Sequence, residues 1–433
     1  MTRRKKRIIA WSILAGIFAA ILLFVAVCGI RWAVHSKKAT EPYGSYEFNG
    51  GQTKFDLDLF PSLIVDKDAT DLKIMQIADP QIKFGSMTRD RKTMKLLDAA
   101  IKKEKPDLCV VTGDLTLSVF TYDAFKFFAN FMEERQQYWT FTYGNHDAQF
   151  DCSKYTIYKL LSKYEYCLFD AGASDVYGES NFLVNVFKGS KSADNLIYSV
   201  VLLDSGMYPD SDNASLSDWV YDWIRQSQMN WYKWAVEGLR SINPDVQSSI
   251  FFHIPLKEFA NMYYLNELQH GNTDVPDFVK NELQGTVEIR DVKGVIRESD
   301  KTESELVYGD DGYNVGIFYQ GNAEGVTDHP DVFAYIKELE CTKALFCGHD
   351  HVNNLKGYYD GVYLGYGLCC GYHTYPFFNN PNIFTGKVLY NAKLWTDENG
   401  NQMEKGVTVI EISLNDATYG ALTVNDRFNS YYR

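Results

Sequence analysis

Three hydrophobic patterns divide this chain. The first is a run of 23 residues, Ile8 to Ile30, without a single charge. It follows Arg3, Arg4, Lys5, Lys6 and Arg7, and it is long enough to span a bilayer with some tilt. The second is a series of short β-type apolar runs: Lys73–Ala78, Leu108–Val111, Tyr138–Tyr143, Leu196–Leu203, Ser249–Phe252 and Ala344–Cys347. Bounded by turn residues, such runs read as buried strands. The third is helical spacing. Ser86–Lys105 sets Met94, Leu97, Ala100 and Ile101 on one face and stops at Pro106, while Thr121–Arg135 and Gln228–Arg240 read as further helices. Strand, helix and strand at this spacing form a βαβ unit, which predicts a parallel central sheet. Residues 256–330 have weaker periodicity and are expected to form loops over the site. Val407–Leu414 and Ala421–Val424 are expected to close the chain as strands of a second sheet.

Five of the predicted strands end in residues that bind metals. Asp79-Pro80-Gln81, Thr112-Gly113-Asp114, Gly144-Asn145-His146-Asp147, His253-Ile254-Pro255 and Gly348-His349-Asp350-His351 each follow an apolar run. Four of the chain's eight histidines (146, 253, 349 and 351) fall in these loops. Open α/β sheets bind their ligands beyond strand ends, so the five loops are expected to converge on one site. His349 and His351, two apart on an extended segment, point the same way.

The order D-x-[H/Q], G-D, G-N-H-D, H, G-H-x-H resembles the calcineurin-like metallophosphoesterase superfamily, from about residue 70 to about residue 375. Finer text resembles its purple-acid-phosphatase-like branch: Phe252-His253-Ile254-Pro255-Leu256, Tyr221-Asp222-Trp223-Ile224 with Ser227-Gln228-Met229-Asn230-Trp231, and Gly348-His349-Asp350-His351-Val352-Asn353-Asn354. The resemblance implies an α/β fold, a four-layer α/β/β/α sandwich of two mixed sheets flanked by helices. It also implies two divalent ions (Mn, Fe or Zn) that activate a water toward a phosphate ester, with Asp114 bridging them about 3.5–4 Å apart. Asp79, Gln81 and His351 would surround one ion, and Asn145, His253 and His349 the other. His146 would protonate the leaving group while Asp147 orients its ring. His373, in Gly371-Tyr372-His373-Thr374-Tyr375, either touches substrate or is a packed, hydrogen-bonded histidine.

The chain departs from that pattern at two places. Many relatives carry histidine where this sequence has Gln81. An amide oxygen binds more weakly than imidazole, so the ion held with His351 is expected to exchange more readily and to favour Mn or Fe over Zn. Purple acid phosphatases owe their colour to a tyrosine three residues after the bridging aspartate. Here that residue is Leu117, after Thr116, so a tyrosinate-ferric site is not expected.

Composition and charge then set the surroundings. With 45% apolar and 15% aromatic residues, the 433-residue chain fits a well-packed globular fold. Residues 1–38 hold eight basic and no acidic residues, leaving 35 basic against 56 acidic beyond them, a net of −21. Such a surface disfavours nucleic acid as a partner. An anionic substrate then needs local positive charge, which bound divalent ions supply. The absence of C-x-x-C pairs disfavours a thiolate zinc site, although Cys152 and Cys167 can be paired on paper. Asn213-Ala214-Ser215 fits a glycosylation acceptor if the chain is eukaryotic.

The expected organisation is a basic tail (1–7), a transmembrane signal anchor (8–30), a stalk (31–45) and a metallophosphoesterase domain (46–433). The domain carries its motifs within 70–375 and its C-terminal strands within 386–433. Five basic residues before the span against Arg31, Lys37 and Lys38 after it put the domain on the extracytoplasmic side of the cell membrane, lumenal in a eukaryote. The expected partners are a phosphorylated small molecule or other phosphoester and, through residues 8–30, the bilayer. Two alternatives stand beside this reading: a phosphodiesterase on lipid- or polymer-linked substrates, and a catalytically weak metal- or phosphate-binding module.

Overall fold

The computed structural model describes residues 3–85, 87–208, 221–269, 271, 287–289, 329–351, 355–374, 405–415 and 422–427. Helix α1 (Arg3–His35) contains the long apolar run, with none of that run buried. Among the described residues it is the one helix long and apolar enough to cross a membrane.

The predicted strands form, and they sort into two sheets. β2 (Asp71–Ile77), β3 (Leu108–Thr112) and β4 (Trp139–Thr142) pair in parallel. The connections are α2 (Thr88–Glu104) and α3 (Thr121–Glu133), which makes the expected βαβ units. β3 and β4 are buried along their whole length, as parallel strands covered on both faces must be. The other sheet has eight strands in the order β1-β5-β6-β7-β9-β11-β10-β8. These are β1 (Ser62–Val65), β5 (Phe182–Lys188), β6 (Leu196–Leu202), β7 (Gln247–Phe251), β8 (Val287–Ile289), β9 (Thr342–Cys347), β10 (Lys356–Tyr359) and β11 (Val362–Tyr366).

Alternation along β5 and β6 explains the layering. Val184, Val186, Val200 and Leu202 join the core shared with the first sheet. Their neighbours Leu183, Phe187 and Val201 face the other way, into a second core with α5 (Gln226–Ile242), α6 (Lys257–Gln269) and α7 (Val332–Leu339). The expected sandwich of two mixed sheets flanked by helices is the observed fold.

Three expectations need correction. The C-terminal strands β12 (Val407–Ser413) and β13 (Leu422–Arg427) do not build a second sheet; they extend the first, in the order β13-β12-β2-β3-β4. β12 runs antiparallel to β2 with Ile410 opposite Ile74, and its buried Val407, Val409, Ile410 and Ile412 cover what would otherwise be an open edge. Residues 31–45 are not a free stalk. His35 stacks on Tyr122 at 4.2 Å, the Ser153 amide donates to the His35 carbonyl at 3.0 Å, and Tyr43 donates to Glu179 at 2.5 Å. The stretch expected to be loop from 256 begins as helix α6.

All eight cysteines are free thiols, Cys152 and Cys167 included. The glycosylation acceptor, residues 352–354, Tyr375 and residues 386–404 lie outside the described residues.

Trp139 in β4 is wholly buried and packs edge-on against Phe128, with ring centroids 5.0 Å apart. Trp139→Ala is expected to cost about 3–5 kcal/mol, read as a lower urea midpoint at unchanged slope.

Candidate metal centre

The site is assembled at strand ends from both sheets. Asp79 follows β2, Asp114 follows β3, Asn145 follows β4, His253 follows β7, and His349 and His351 follow β9. Below them the buried Gln76 amide ties the sheets together, donating to Thr112 Oγ1 at 3.1 Å and to the Cys347 carbonyl at 2.9 Å. The loops turn sharply. Asp79, Gln81, Asp114 and His349 all take positive φ, at 49°, 42°, 50° and 76°. Non-glycine residues pay for that conformation, and it concentrates at functional sites. Two glycines permit the close approach: at Gly113 (φ 78°) a Cβ would lie 2.5 Å from His253 Nδ1, and at Gly144 it would strike the backbone and carboxylate of Asp114.

One set of donor atoms converges on a point. His253 Nε2 lies 2.9 Å from Asn145 Oδ1, 3.2 Å from His349 Nδ1 and 3.4 Å from Asp114 Oδ1. Asn145 Oδ1 is also 3.0 Å from His349 Nδ1. The tautomers sharpen this. His253 Nδ1 sits 2.8 Å from the Thr112 carbonyl, which only accepts, so Nδ1 carries the hydrogen and a neutral ring presents a lone pair at Nε2. Asn145 Nδ2 donates to the Tyr208 hydroxyl at 3.0 Å, which turns Oδ1 inward. Acceptor atoms therefore face one another, an arrangement a cation satisfies. Ligands about 2.1 Å from one ion lie about 3.0–3.4 Å apart, which matches these spacings. The residues fit a divalent metal, and Asp79, Asp114 and His253 by themselves bring ligand atoms within 4.8 Å of one another.

The second group shares Asp114. Its Oδ1 faces His253 and accepts the His146 amide at 2.9 Å, while Oδ2 faces Gln81 Nε2 at 3.2 Å. Gln81 Nε2 is 3.3 Å from His351 Nε2, which is 3.4 Å from Asp79 Oδ1. The carboxylate thus presents one oxygen to each group. Gln81 reaches the expected position but offers its amide nitrogen, a donor; turning the amide over would present Oε1 instead.

Electrostatics follow from burial. Asp79 and Asp147 are wholly buried, which pushes both carboxyls well up, and the charge of Asp114 adds to both. Burial would also raise Asp114, but His253 and His146, when protonated, outweigh it and hold that carboxyl below its usual range. Burial drives His349 and His351 well down, leaving them neutral and ready to ligate.

His146 is the imidazole at the mouth. Its side chain is 25% exposed, and Nε2 lies 3.9 Å from Asp114 Oδ2. The expectation that Asp147 orients this ring is not met. Asp147 accepts the backbone amides of Thr116 at 3.0 Å and Gly144 at 2.8 Å, so it holds the loop, while His146 Nδ1 pairs with Gln149 Oε1 at 2.8 Å. His373 is buried with Nε2 3.0 Å from Asp90 Oδ1, the packed alternative of the two considered. Asp90 in turn accepts the amides of Lys83 and Phe84, each at 3.0 Å.

Sequence reasoning missed Gln149, Tyr208 and Lys405. Gln149 is three residues from His146 and was within reach of a local reading. Tyr208 and the buried Lys405, whose Nζ donates to Thr374 Oγ1 at 2.6 Å, arrive from distant loops with no local signal.

The family described as calcineurin-like phosphoesterase matches residues 72–275. Two Arabidopsis thaliana proteins are similar over most of their length. "Probable inactive purple acid phosphatase 28" is 24% identical, covering 76% of this chain and 77% of that one. "Probable inactive purple acid phosphatase 14" is 27% identical, covering 70% and 71%. "Phosphatase DCR2" of Saccharomyces cerevisiae is 25% identical over 52% of this chain and 41% of its own. Residues 72–275 are thus similar to calcineurin-like phosphoesterases, and most of the chain is similar to purple-acid-phosphatase-like proteins. It is classed accordingly as a hydrolase of phosphoester bonds.

Because Gly144 lies against the shared carboxylate, Gly144→Ala is expected to displace Asp114 and weaken Mn²⁺ binding by about 10–100-fold in a calorimetric titration.

Proposed function

We propose that the chain is a membrane-anchored phosphoesterase with two divalent ions, Mn, Fe or Zn, whose site faces the extracytoplasmic side. The observation that carries this reading is Asp114, whose two oxygens serve two separate donor groups. Asp114 with Asn145, His253 and His349 would hold one ion. Asp114 with Asp79, His351 and Gln81 would hold the other. The ions supply neutralisation of the phosphoryl oxygens and a lowered pKa for water.

The remaining work falls to the chain's own residues. Gln149 accepts from Nδ1 of His146, which fixes the ring and leaves Nε2 as the atom that handles the proton. Nε2 lies on the open side of Asp114, where it gives its proton to the departing alkoxide. Asp147 keeps the turn from Gly144 to Asp147 closed, and that turn sets the distance between His146 and Asp114. Anchoring is supported by α1 and its uncharged 23-residue run, and the orientation by the basic residues ahead of it.

The test is hydrolysis of a generic chromogenic phosphomonoester and diester by the full-length chain, with Mn, Fe, Zn or a chelator. Metal-dependent turnover is expected, lost in Asp114→Ala and reduced about 10²–10⁴-fold in kcat in His146→Ala. No metal-dependent turnover on either substrate would favour a binding module. The donor face that Gln81 presents is the observation on that side.

A further inference from the structure

A cavity of about 510 Å³ is lined by Phe84, Met87, Leu117, Val119, Phe120 and Phe150, with Lys83 and Ser118. Its walls are continuations of the ligand loops. Phe84 comes three residues after Gln81, Leu117 three after Asp114, and Phe150 four after His146. An Ile82–Thr116 bridge holds two of these walls together. The cleft is therefore bounded by the same three loops that carry Gln81, Asp114 and His146. Phe84, Met87, Val119 and Phe150 are 41–51% exposed, an apolar lining on a domain whose net charge is strongly negative.

The membrane span reaches the same cleft. Phe24, inside the uncharged run of α1, meets Phe120 edge-on at 6.3 Å, and Phe120 meets Phe84 edge-on at 4.9 Å. Arg31 lies 5.2 Å over the Phe120 ring and pairs with Asp123 and, at 3.5 Å, with Asp151. Phe24 is six residues before the end of the run, about 9 Å along a helix. Phe120 therefore sits between the apolar Phe24 and the charged Arg31 group, at the outer end of the uncharged run. A pocket of this size takes most of a drug-sized apolar group.

We infer that this cleft seats the hydrocarbon chain of a membrane lipid whose phosphate ester is presented to Asp114 and His146, so that the substrate class is a lipid phosphate. The inference rests on the phosphoesterase and anchor readings proposed above. In the reaction one water is added. Its oxygen stays on phosphorus as the P–O bond to the lipid alcohol breaks, one proton passes from His146 Nε2 to that alcohol, and the water's proton restores His146. The products are inorganic phosphate and the free lipid alcohol.

The test uses the full-length chain in amphipol with Mn²⁺ and alkyl phosphates from ethyl to dodecyl. Each methylene buried is worth about fourfold in binding. The ratio kcat/KM is expected to rise at least about tenfold along the series, mainly through KM. A second readout needs no turnover: binding of dodecyl and ethyl phosphate to chelator-treated protein, followed by calorimetry. Phe84→Asp with Phe150→Asp, both at half-exposed positions, is expected to flatten the chain-length dependence in both readouts. Val119→Asp repeats the test should that pair fail to fold.

Chain-length independence in the unsubstituted protein would overturn the inference and leave the phosphoesterase reading standing. So would a dependence that survives in the variants, since it would report partitioning into amphipol alone. No turnover of any substrate, with binding still chain-length dependent and variant-sensitive, would remove the phosphoesterase reading and support the cleft.

Discussion

Three buried carboxylates set the terms for this molecule. Asp79, Asp114 and Asp147 have at most 1% of their surface exposed, and they share one crevice. Like charges this close, removed from water, are costly unless protons, hydrogen bonds or cations compensate. The structure shows how the load is divided. Asp147 spends its oxygens on backbone amides at the turn. Asp79 accepts the His349 amide with both oxygens, at 3.1 and 3.2 Å. Asp114 gives one oxygen to each side. What these bonds leave uncompensated is the charge at the centre, and the buried His349 and His351 rings offer lone pairs, not protons. A pair of divalent ions answers that constraint.

The fold supplies the rigidity this needs. Gln76 ties the two sheet ends together where residues from both sheets meet, and β12 closes the edge beside β2. Four site residues at positive φ show that the strand-end turns are tight, and they follow strands whose site-proximal ends are buried. A site built on such ends has little freedom to collapse. The half-exposed Phe84 and Phe150 lie in the loop segments just past these residues.

Much of this was legible in sequence because strand ends and metal-binding residue types coincide. An apolar run followed by Asp, Asn or His is a local signal, and the five loops it marks are the ones that meet in the candidate site. The helices α2, α3 and α5 were found for the same reason, with boundaries shifted by a residue or two. Sheet membership was less legible. β12 carries an apolar pattern that suits either sheet, and only the partner on β2 decides it. The resemblance implies that Asp147 orients His146, but a motif says nothing of where a side chain turns; here the tight turn draws the carboxylate onto the amides of Gly144 and Thr116. Residues 31–45 read as a stalk because charge and small residues suggest solvent, whereas Arg31 and His35 have partners more than 80 residues away. Tyr208 and Lys405 were invisible for the same reason.

The central claim is that one carboxylate divides two ion sites between the ligand loops. Anomalous diffraction from crystals of the full-length chain grown with Mn²⁺ tests it most directly. Two peaks are expected on either side of Asp114, about 3.5–4 Å apart, one within reach of Asn145, His253 and His349 and the other of Asp79 and His351. A single peak, or two that do not both contact Asp114, would contradict it.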